Sequence, residues 1–257
     1  MAPKVVKVRE LTELPLTSDE VLALCYPRPS EFELRSRVTE LLELGVEELI
    51  FDGPVTIGKV PVVGKGCVGI VVKCRIGGEV YALKIRRVDA NRDSMEYEAN
   101  MLKLANSVNV GPRLVKWSKN FLIREFIEGE PIGRWIVYVR DEVALRSVLR
   151  ELLEQCYRLD SIGLYHAQLS DPSNHVIIDC NQRPHIIDFE TASTTSRKSN
   201  VTAVTQFFFL RPTEISKKVK SILHSSSNQE ILAAAREYKR TRSRSSFSKL
   251  LKVLNLT

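Results

Sequence analysis

The stretch Gly64–Lys84 constrains this chain more than any other. It reads G-K-G-C-V-G-I-V-V-K-C-R-I-G-G-E-V-Y-A-L-K. Gly64, Gly66 and Gly69 fit G-x-G-x-x-G, and Val71 extends the pattern to G-x-G-x-x-G-x-V. Such glycines serve two architectures. In a strand–helix unit they close a strand and open a helix that receives a pyrophosphate. In a hairpin they form the tip, where a missing Cβ lets backbone N–H groups approach phosphates. Here β-branched residues lie on both sides: Val60, Val62 and Val63 before, Ile70, Val71 and Val72 after. No helical period follows, and Gly77-Gly78 turns the chain into a further apolar run, Y-A-L-K-I. The hairpin reading follows, with Lys84 on the third strand supplying positive charge to the phosphates.

Composition sets outer limits. A chain of 257 residues, 44% hydrophobic and 27% charged, reads as a soluble globular protein with a full core. No stretch is long and apolar enough to span a bilayer, and no signal-peptide core opens the sequence, so the expected setting is cytoplasmic with no membrane partner. Five scattered cysteines without a C-x-x-C pair read as reduced thiols rather than a disulfide frame or a zinc site. The net charge of +7 suits a phosphate-rich or nucleic-acid partner and is equally ordinary for a protein that holds a nucleotide. The densest basic run, Lys239-Arg240-Thr241-Arg242-Ser243-Arg244, lies late in the chain.

In chain order, residues 1–16 read as an irregular arm. Ser18 and Ser30 are capping candidates for two short helices, with Pro27 and Pro29 between them and Gly45 after the second. These helices define an N-terminal extension over 1–47, read either as a partner-binding module or as a brace on the strands that follow. Strand texture begins at Glu48. A helix over 94–106 carries Glu96 and Glu98, and Phe121–Ile132 reads as an apolar strand running into an acid-flanked turn. Residues 140–163 form an amphipathic helix ended by Gly163. Next come His166-Ala-Gln-Leu-Ser-Asp-Pro-Ser-Asn-His175 and two short strands, V-I-I-D and H-I-I-D, around a turn at Asn181-Gln182. The second strand leads into Asp188-Phe-Glu. Three more helices are expected, over 212–223, 228–238 and 246–254.

Taken together, G-K-G-C-V-G-I-V, Y-A-L-K, E-A-N-M-L, N-V-G-P, H-A-Q-L-S-D-P-S-N-H-V and I-I-D-F-E resemble the protein-kinase-like superfamily. The chain is most similar there to small archaeal serine/threonine kinases related to the RIO and KEOPS-associated kinases, over about residues 48–210. The resemblance implies an α+β fold of two lobes: a small antiparallel sheet lobe over 48–127, and a compact helical lobe over 128–257 with basic C-terminal helices. It implies ATP with Mg²⁺ or Mn²⁺, and γ-phosphate transfer to a protein serine or threonine, the enzyme itself included.

Roles follow from the same resemblance. Gly64, Lys65, Gly66 and Gly69 would cover the phosphates, with Val71, Ala82 and Ile123 around the base. Lys84 would orient the phosphates, held by Glu98, with Glu96 as a solvated helix charge. The backbone of Glu125–Ile127 would meet the adenine edge, and Glu128 or Glu130 the ribose. Asp188 would bind the metal. The amide slot falls on Asn174 or His175 according to how the residues are counted, with Asn174 favoured because hard cations prefer oxygen.

The catalytic segment departs from the family pattern. His166 opens the loop, but Gln168 stands where an acid is expected, and a carboxamide takes no proton at neutral pH. Asp171, three residues on, is the displaced base. The activation segment lacks A-P-E, which removes the usual peptide-docking element. Two other readings share the fold. One is a nucleotide-binding adaptor without transfer activity in a tRNA- or ribosome-linked assembly, docking through the extension or the basic C-terminus, where Arg242 and Arg244 would contact RNA. The other is a small-molecule phosphotransferase, which a short C-terminal lobe disfavours.

Overall fold

The computed structural model describes residues 3–257. The chain divides into two compact units, Met1–Asn100 with Arg113–Phe126, and Met101–Pro112 with Ile127–Thr257. It has the mixed α/β character of the kinase-like fold, an antiparallel sheet in the first unit and mostly helices in the second.

The first unit opens on strand β1 (Lys4–Lys7), not on an irregular arm. The segment is too short to show a period, but it pairs with β2 (Glu48–Phe51), and Val6, Val8 and Leu11 are buried behind it. Helices α1 (Asp19–Leu24) and α2 (Glu31–Glu43) start at Ser18 and Ser30, whose side chains accept from the N–H groups of Val21 and Glu33. A small hairpin, β3 (Val55–Ile57) and β4 (Val60–Val62), precedes the glycine stretch. That stretch forms β5 (Gly64–Lys65) and β6 (Gly69–Ile76), joined by a turn in which the Gly66 N–H donates to the Gly69 carbonyl at 2.8 Å. Strand β7 (Glu79–Arg86), helix α3 (Glu96–Asn106), β8 (Leu114–Trp117) and β9 (Phe121–Glu125) follow. The sheet runs β1-β2-β6-β7-β9-β8, with β5 on β6, and every pairing is antiparallel.

The N-terminal helices do not stand apart from this sheet. Val21, Leu24, Leu34, Val38 and Leu41 share one hydrophobic core with Leu49, Phe51, Val72, Leu83, Ile85, Phe121 and Ile123. The extension is the layer that covers one face of the sheet. The fully buried Arg37 clips it in place, donating to the carbonyls of Leu24 at 2.8 Å and Arg86 at 2.6 Å. Glu40 accepts from both the backbone and the side chain of Asn120 at 2.7 Å. These bonds hold the ends of β7 and β9, the strands that position Lys84.

The second unit opens with β10 (Gly129–Pro131) and helix α4 (Ile132–Tyr138), which the sequence did not signal because Pro131 and Gly133 fall at its start. Helix α5 (Glu142–Ser161) is followed by β11 (Tyr165–His166), β12 (Val176–Asp179), β13 (Pro184–Ile186) and β14 (Ala192–Ser193). Helices α6 (Asn200–Thr205), α7 (Glu214–Leu223), α8 (Asn228–Thr241) and α9 (Arg244–Val253) complete it. The expected connector R-S-R-S-S is largely helical, because Ser243 caps α9 by accepting from the Ser246 N–H. Among the described residues, no helix is long and apolar enough to cross a membrane.

Candidate active site

Strand register fixes which residues of the first unit share a face with Lys84. Lys84 pairs with Val71 on one neighbour and Leu122 on the other, and Ala82 pairs with Lys73 and Arg124. Alternation therefore puts Val71, Ala82, Lys84, Leu122 and Arg124 on one face. Ile123 belongs to the opposite face, fully buried in the core with Leu83. This corrects the expectation that Ile123 borders the nucleotide: the β9 side chains on the lysine face are Leu122 and the buried Arg124. Sequence alone left the register of that apolar run open.

Lys84 and Glu98 are 5% and 4% exposed. The Lys84 Nζ lies 3.0 Å from Glu98 Oε1 and 2.9 Å from Oε2, aligned for hydrogen bonding to the first. Helix α3 delivers Glu98 into this pair. Ser94 starts the helix by accepting from the Glu96 N–H at 3.3 Å, and Met95 donates to the Lys119 carbonyl at 3.0 Å. Glu96 is exposed, as expected of a solvated helix charge.

The three glycines differ in what they do. A Cβ on Gly69 would lie 2.9 Å from the Ile85 carbonyl oxygen and 3.1–3.2 Å from the Lys84 stem. Glycine there lets the lysine pass. A Cβ on Gly64 meets nothing within 4 Å, and one on Gly66 meets only the Gly69 oxygen at 3.6 Å. Lys65 leans away onto Tyr26, its ammonium 2.7 Å from the phenol oxygen and 4.2 Å from the ring centroid. Arg87, which the sequence did not single out, donates to the Gly66 carbonyl at 3.1 Å and so braces the turn. Of the backbone groups expected to meet adenine, the Glu125 N–H is donated to the Arg113 carbonyl at 2.9 Å.

In the second unit His166 is fully buried, and burial pulls its imidazole down to about 4. It is therefore neutral near pH 7. Its Nε2 lies 3.0 Å from the Ile187 carbonyl, so Nε2 carries the proton, and Nδ1 has no hydrogen-bond partner among the described residues. The ring also packs edge-on against Phe189, centroids 4.9 Å apart. A ring so enclosed holds the Ile187-Asp188-Phe189 segment through the Ile187 carbonyl and the Phe189 ring. Phe189 is walled on another side by Gly111, where a Cβ would lie 2.8 Å from its ring and 3.0 Å from Leu102.

The His166 backbone is held in turn. Its N–H donates to Asn200 Oδ1 at 2.8 Å, and Asn200 Nδ2 donates to the Leu164 carbonyl at 2.7 Å and to buried Asp160 at 2.9 Å. Asp160 also accepts from Ser199 Oγ at 2.6 Å, the Asn200 N–H at 2.7 Å and the Tyr238 hydroxyl at 3.0 Å. Burial and the Asp160 charge push the Tyr238 phenol up, so the hydroxyl stays protonated and donating.

Gln168 occupies a 3-10 turn, Ala167–Ser170, with its Oε1 buried and unpaired among the described residues. Asp171 is exposed and caps the next turn, Oδ1 accepting from the Ser173 N–H at 3.1 Å. Helix α4 presses on that turn: a Cβ on Gly133 would lie 2.8 Å from Ser173 Cβ. Asn174 ends the turn exposed, whereas the His175 ring turns toward Asp188, Nδ1 3.9 Å from Oδ2. The residue brought to the aspartate is thus His175 rather than the favoured Asn174. Asp188 has φ +67°, a left-handed conformation sparsely populated by non-glycine residues. Glu190, where the family pattern has glycine, offers a carboxylate oxygen within 4.8 Å of one on Asp188. Two carboxylates so placed are a donor set that suits Mg²⁺ or Mn²⁺.

The basic C-terminal run is partly spent on the fold. Arg244 pairs with Glu154 at 2.5 and 2.9 Å and lies over Tyr157 and Phe247. Arg242 donates to the carbonyls of Arg197 and Lys198 at 2.9 Å.

Residues 79–206 match the RIO domain family. The match begins after the glycine hairpin and takes in Lys84, Glu98, His166 and Asp188. Over 163 residues the chain is also 26% identical to the "Probable dual specificity protein kinase YAK1 homolog" of Encephalitozoon cuniculi (strain GB-M1), an alignment covering 58% of this chain and 40% of that relative. The chain therefore spans less than half the length of the curated relative it matches. Over 79–206, just under half of its length, the chain thus resembles the RIO domain family, and the antiparallel sheet, the buried lysine–glutamate pair and the Asp-Phe-Glu segment are consistent with a kinase-like fold.

Proposed function

We propose that the chain is an atypical serine/threonine protein kinase, taking the γ-phosphate of ATP to a protein hydroxyl and to its own. The buried Lys84–Glu98 pair is the observation that carries this reading. Desolvating two charges costs several kcal/mol, and such pairs are weak devices for stability alone. Holding a lysine extended toward a phosphate explains the expense. The Gly64–Gly69 turn covers the phosphates, Val71 and Ala82 flank the base, and the Glu125 carbonyl with the Ile127 N–H meets its edge. Asp188 and Glu190 hold the divalent cation, with His175 beside them and Asn174 near at hand on the same turn. The cation, when bound, neutralises charge developing on the transferred phosphate.

Gln168 accepts no proton, so the family's base is not supplied at this position. Asp171 is the nearest carboxylate in the loop and keeps Oδ2 for the proton. Because phosphoryl transfer proceeds through a loose transition state, positioning and charge carry most of the acceleration, and a weak base slows it without abolishing it. Gln168 also favours a second reading, an ATP-binding adaptor in a ribonucleoprotein assembly without transfer. Turnover decides between them. Incubation with γ-labelled ATP and Mn²⁺, followed by phosphosite mapping, gives labelled serine or threonine for the kinase, and ATP binding without label for the adaptor.

A further inference from the structure

A cavity of about 280 Å³ opens in the second unit beside the 166–171 segment and is unused by the roles above. Its walls include Ser170, Lys198, Thr202, Gln206, Arg211 and Lys239. Lys198, Arg211 and Lys239 are exposed, and none lies within ion-pair distance of a carboxylate among the described residues. Among the described residues, no acidic side chain lines the cavity. The nearest acid in sequence is Asp171, whose Oδ1 already holds the Ser173 N–H.

The wall is preorganised. Arg242 grips the carbonyls of Arg197 and Lys198 at 2.9 Å. Immediately after, Ser199 Oγ and the Asn200 N–H donate to buried Asp160 at 2.6 and 2.7 Å. The segment carrying Lys198 is thus fixed on both sides before any ligand arrives, which lowers the entropic cost of binding. The Ser170 hydroxyl and the Gln206 carboxamide add neutral donors to the three cations.

We propose that this cavity binds a phosphate monoester carried on a serine or threonine of a polypeptide. Such a group brings a charge of about −2 and three acceptor oxygens, which three cations lining one cavity and the flanking donors match. A nucleic-acid strand is a poorer fit. It calls for an extended basic track with exposed aromatic faces, whereas the one aromatic lining residue, Tyr165, is buried, and Arg244 is already paired with Glu154. The site depends on the cavity and not on the transfer reading, although its place beside Ser170 suits an acceptor that already bears one phosphate.

The test is a titration of the full chain with N-acetyl-O-phosphoserine N-methylamide, followed by backbone-amide NMR. Parallel titrations use the unphosphorylated probe, inorganic phosphate and a short single-stranded RNA. The expected result is saturable shifts at Ser170, Lys198, Thr202 and Lys239 with the phosphorylated probe and none with its unphosphorylated form. Affinity falls roughly tenfold or more in a variant combining Lys198→Gln, Arg211→Gln and Lys239→Gln with an unchanged thermal midpoint. Lys84→Ala leaves these shifts in place, which separates this site from the nucleotide's. No saturable shift at these amides, or unchanged affinity in the triple variant, overturns the proposal. So does tighter saturation of the same amides by RNA or by inorganic phosphate than by the phosphoserine probe.

Discussion

The Nζ of Lys84 and the carboxylate of Glu98 meet at 2.9–3.0 Å with both side chains almost wholly removed from water. Deleting either group alone removes one partner of a buried charge. Lys84→Met is expected to lower unfolding free energy by about 3–5 kcal/mol by breaking a buried ion pair from one side. The double variant Lys84→Met, Glu98→Leu restores most of that stability in urea unfolding and none of the nucleotide binding. A double variant as unstable as the single one refutes the pairing argument.

The glycines of the hairpin are predicted to be unequal. Gly69→Ala forces a Cβ against the Ile85 carbonyl and the Lys84 stem, at a cost of about 1–3 kcal/mol. It is expected to weaken ATP binding about tenfold by displacing the lysine, 1.4 kcal/mol corresponding to one decade. Gly64→Ala enters open space and leaves binding within about twofold, an effect under ~0.5 kcal/mol. Calorimetric titration of the two variants checks the order, and equal losses contradict it.

His166 links the site to pH. Its folded pKa of about 4 lies below the ordinary 6.5 because the ring is buried. The unfolded chain therefore binds the proton more readily. The stability this neutral ring contributes is complete above pH 6.5 and is lost as pH falls toward 4. Between pH 7 and pH 5 the loss amounts to about 2 kcal/mol. His166→Phe, which keeps an aromatic ring against Phe189, is expected to flatten that window in urea unfolding at the two pH values. An unchanged slope assigns the pH dependence elsewhere.

Gly64–Lys84 was legible because glycine spacing and β-branched flanks are local signals, and Glu98 because helical spacing set it on the face of Leu102. Ile123 was misread because a one-residue change of register exchanges the faces of a strand, and nothing within that apolar run states the register. Arg37 escaped notice because a buried arginine looks like any surface arginine until its carbonyl partners at Leu24 and Arg86 are known. The choice between Asn174 and His175 depended on a 3-10 turn packed against Gly133, a contact with no trace in the spacing. Arg242 and Arg244 look available in a basic run, yet the fold uses both.

The network below the catalytic segment offers a prediction remote from any ligand. Tyr238→Phe removes one of the hydrogen bonds held by buried Asp160 and is expected to cost about 1.5–3 kcal/mol, the range for a bond to a charged group. Because Asp160 orients Asn200, and Asn200 holds His166, transfer activity is expected to fall together with local protection of residues 164–170. Hydrogen exchange on the variant reads this directly, and undiminished protection there removes Tyr238 from the chain of support.

The most direct test of the central claim is γ-phosphate incorporation by the purified full chain with Mn²⁺, alongside Lys84→Ala and Asp188→Asn. Label on serine or threonine is expected in the wild type, with nearly all of it lost in both variants. Wild-type label unchanged by Lys84→Ala, or no label from wild-type protein that demonstrably binds ATP and Mn²⁺, contradicts it.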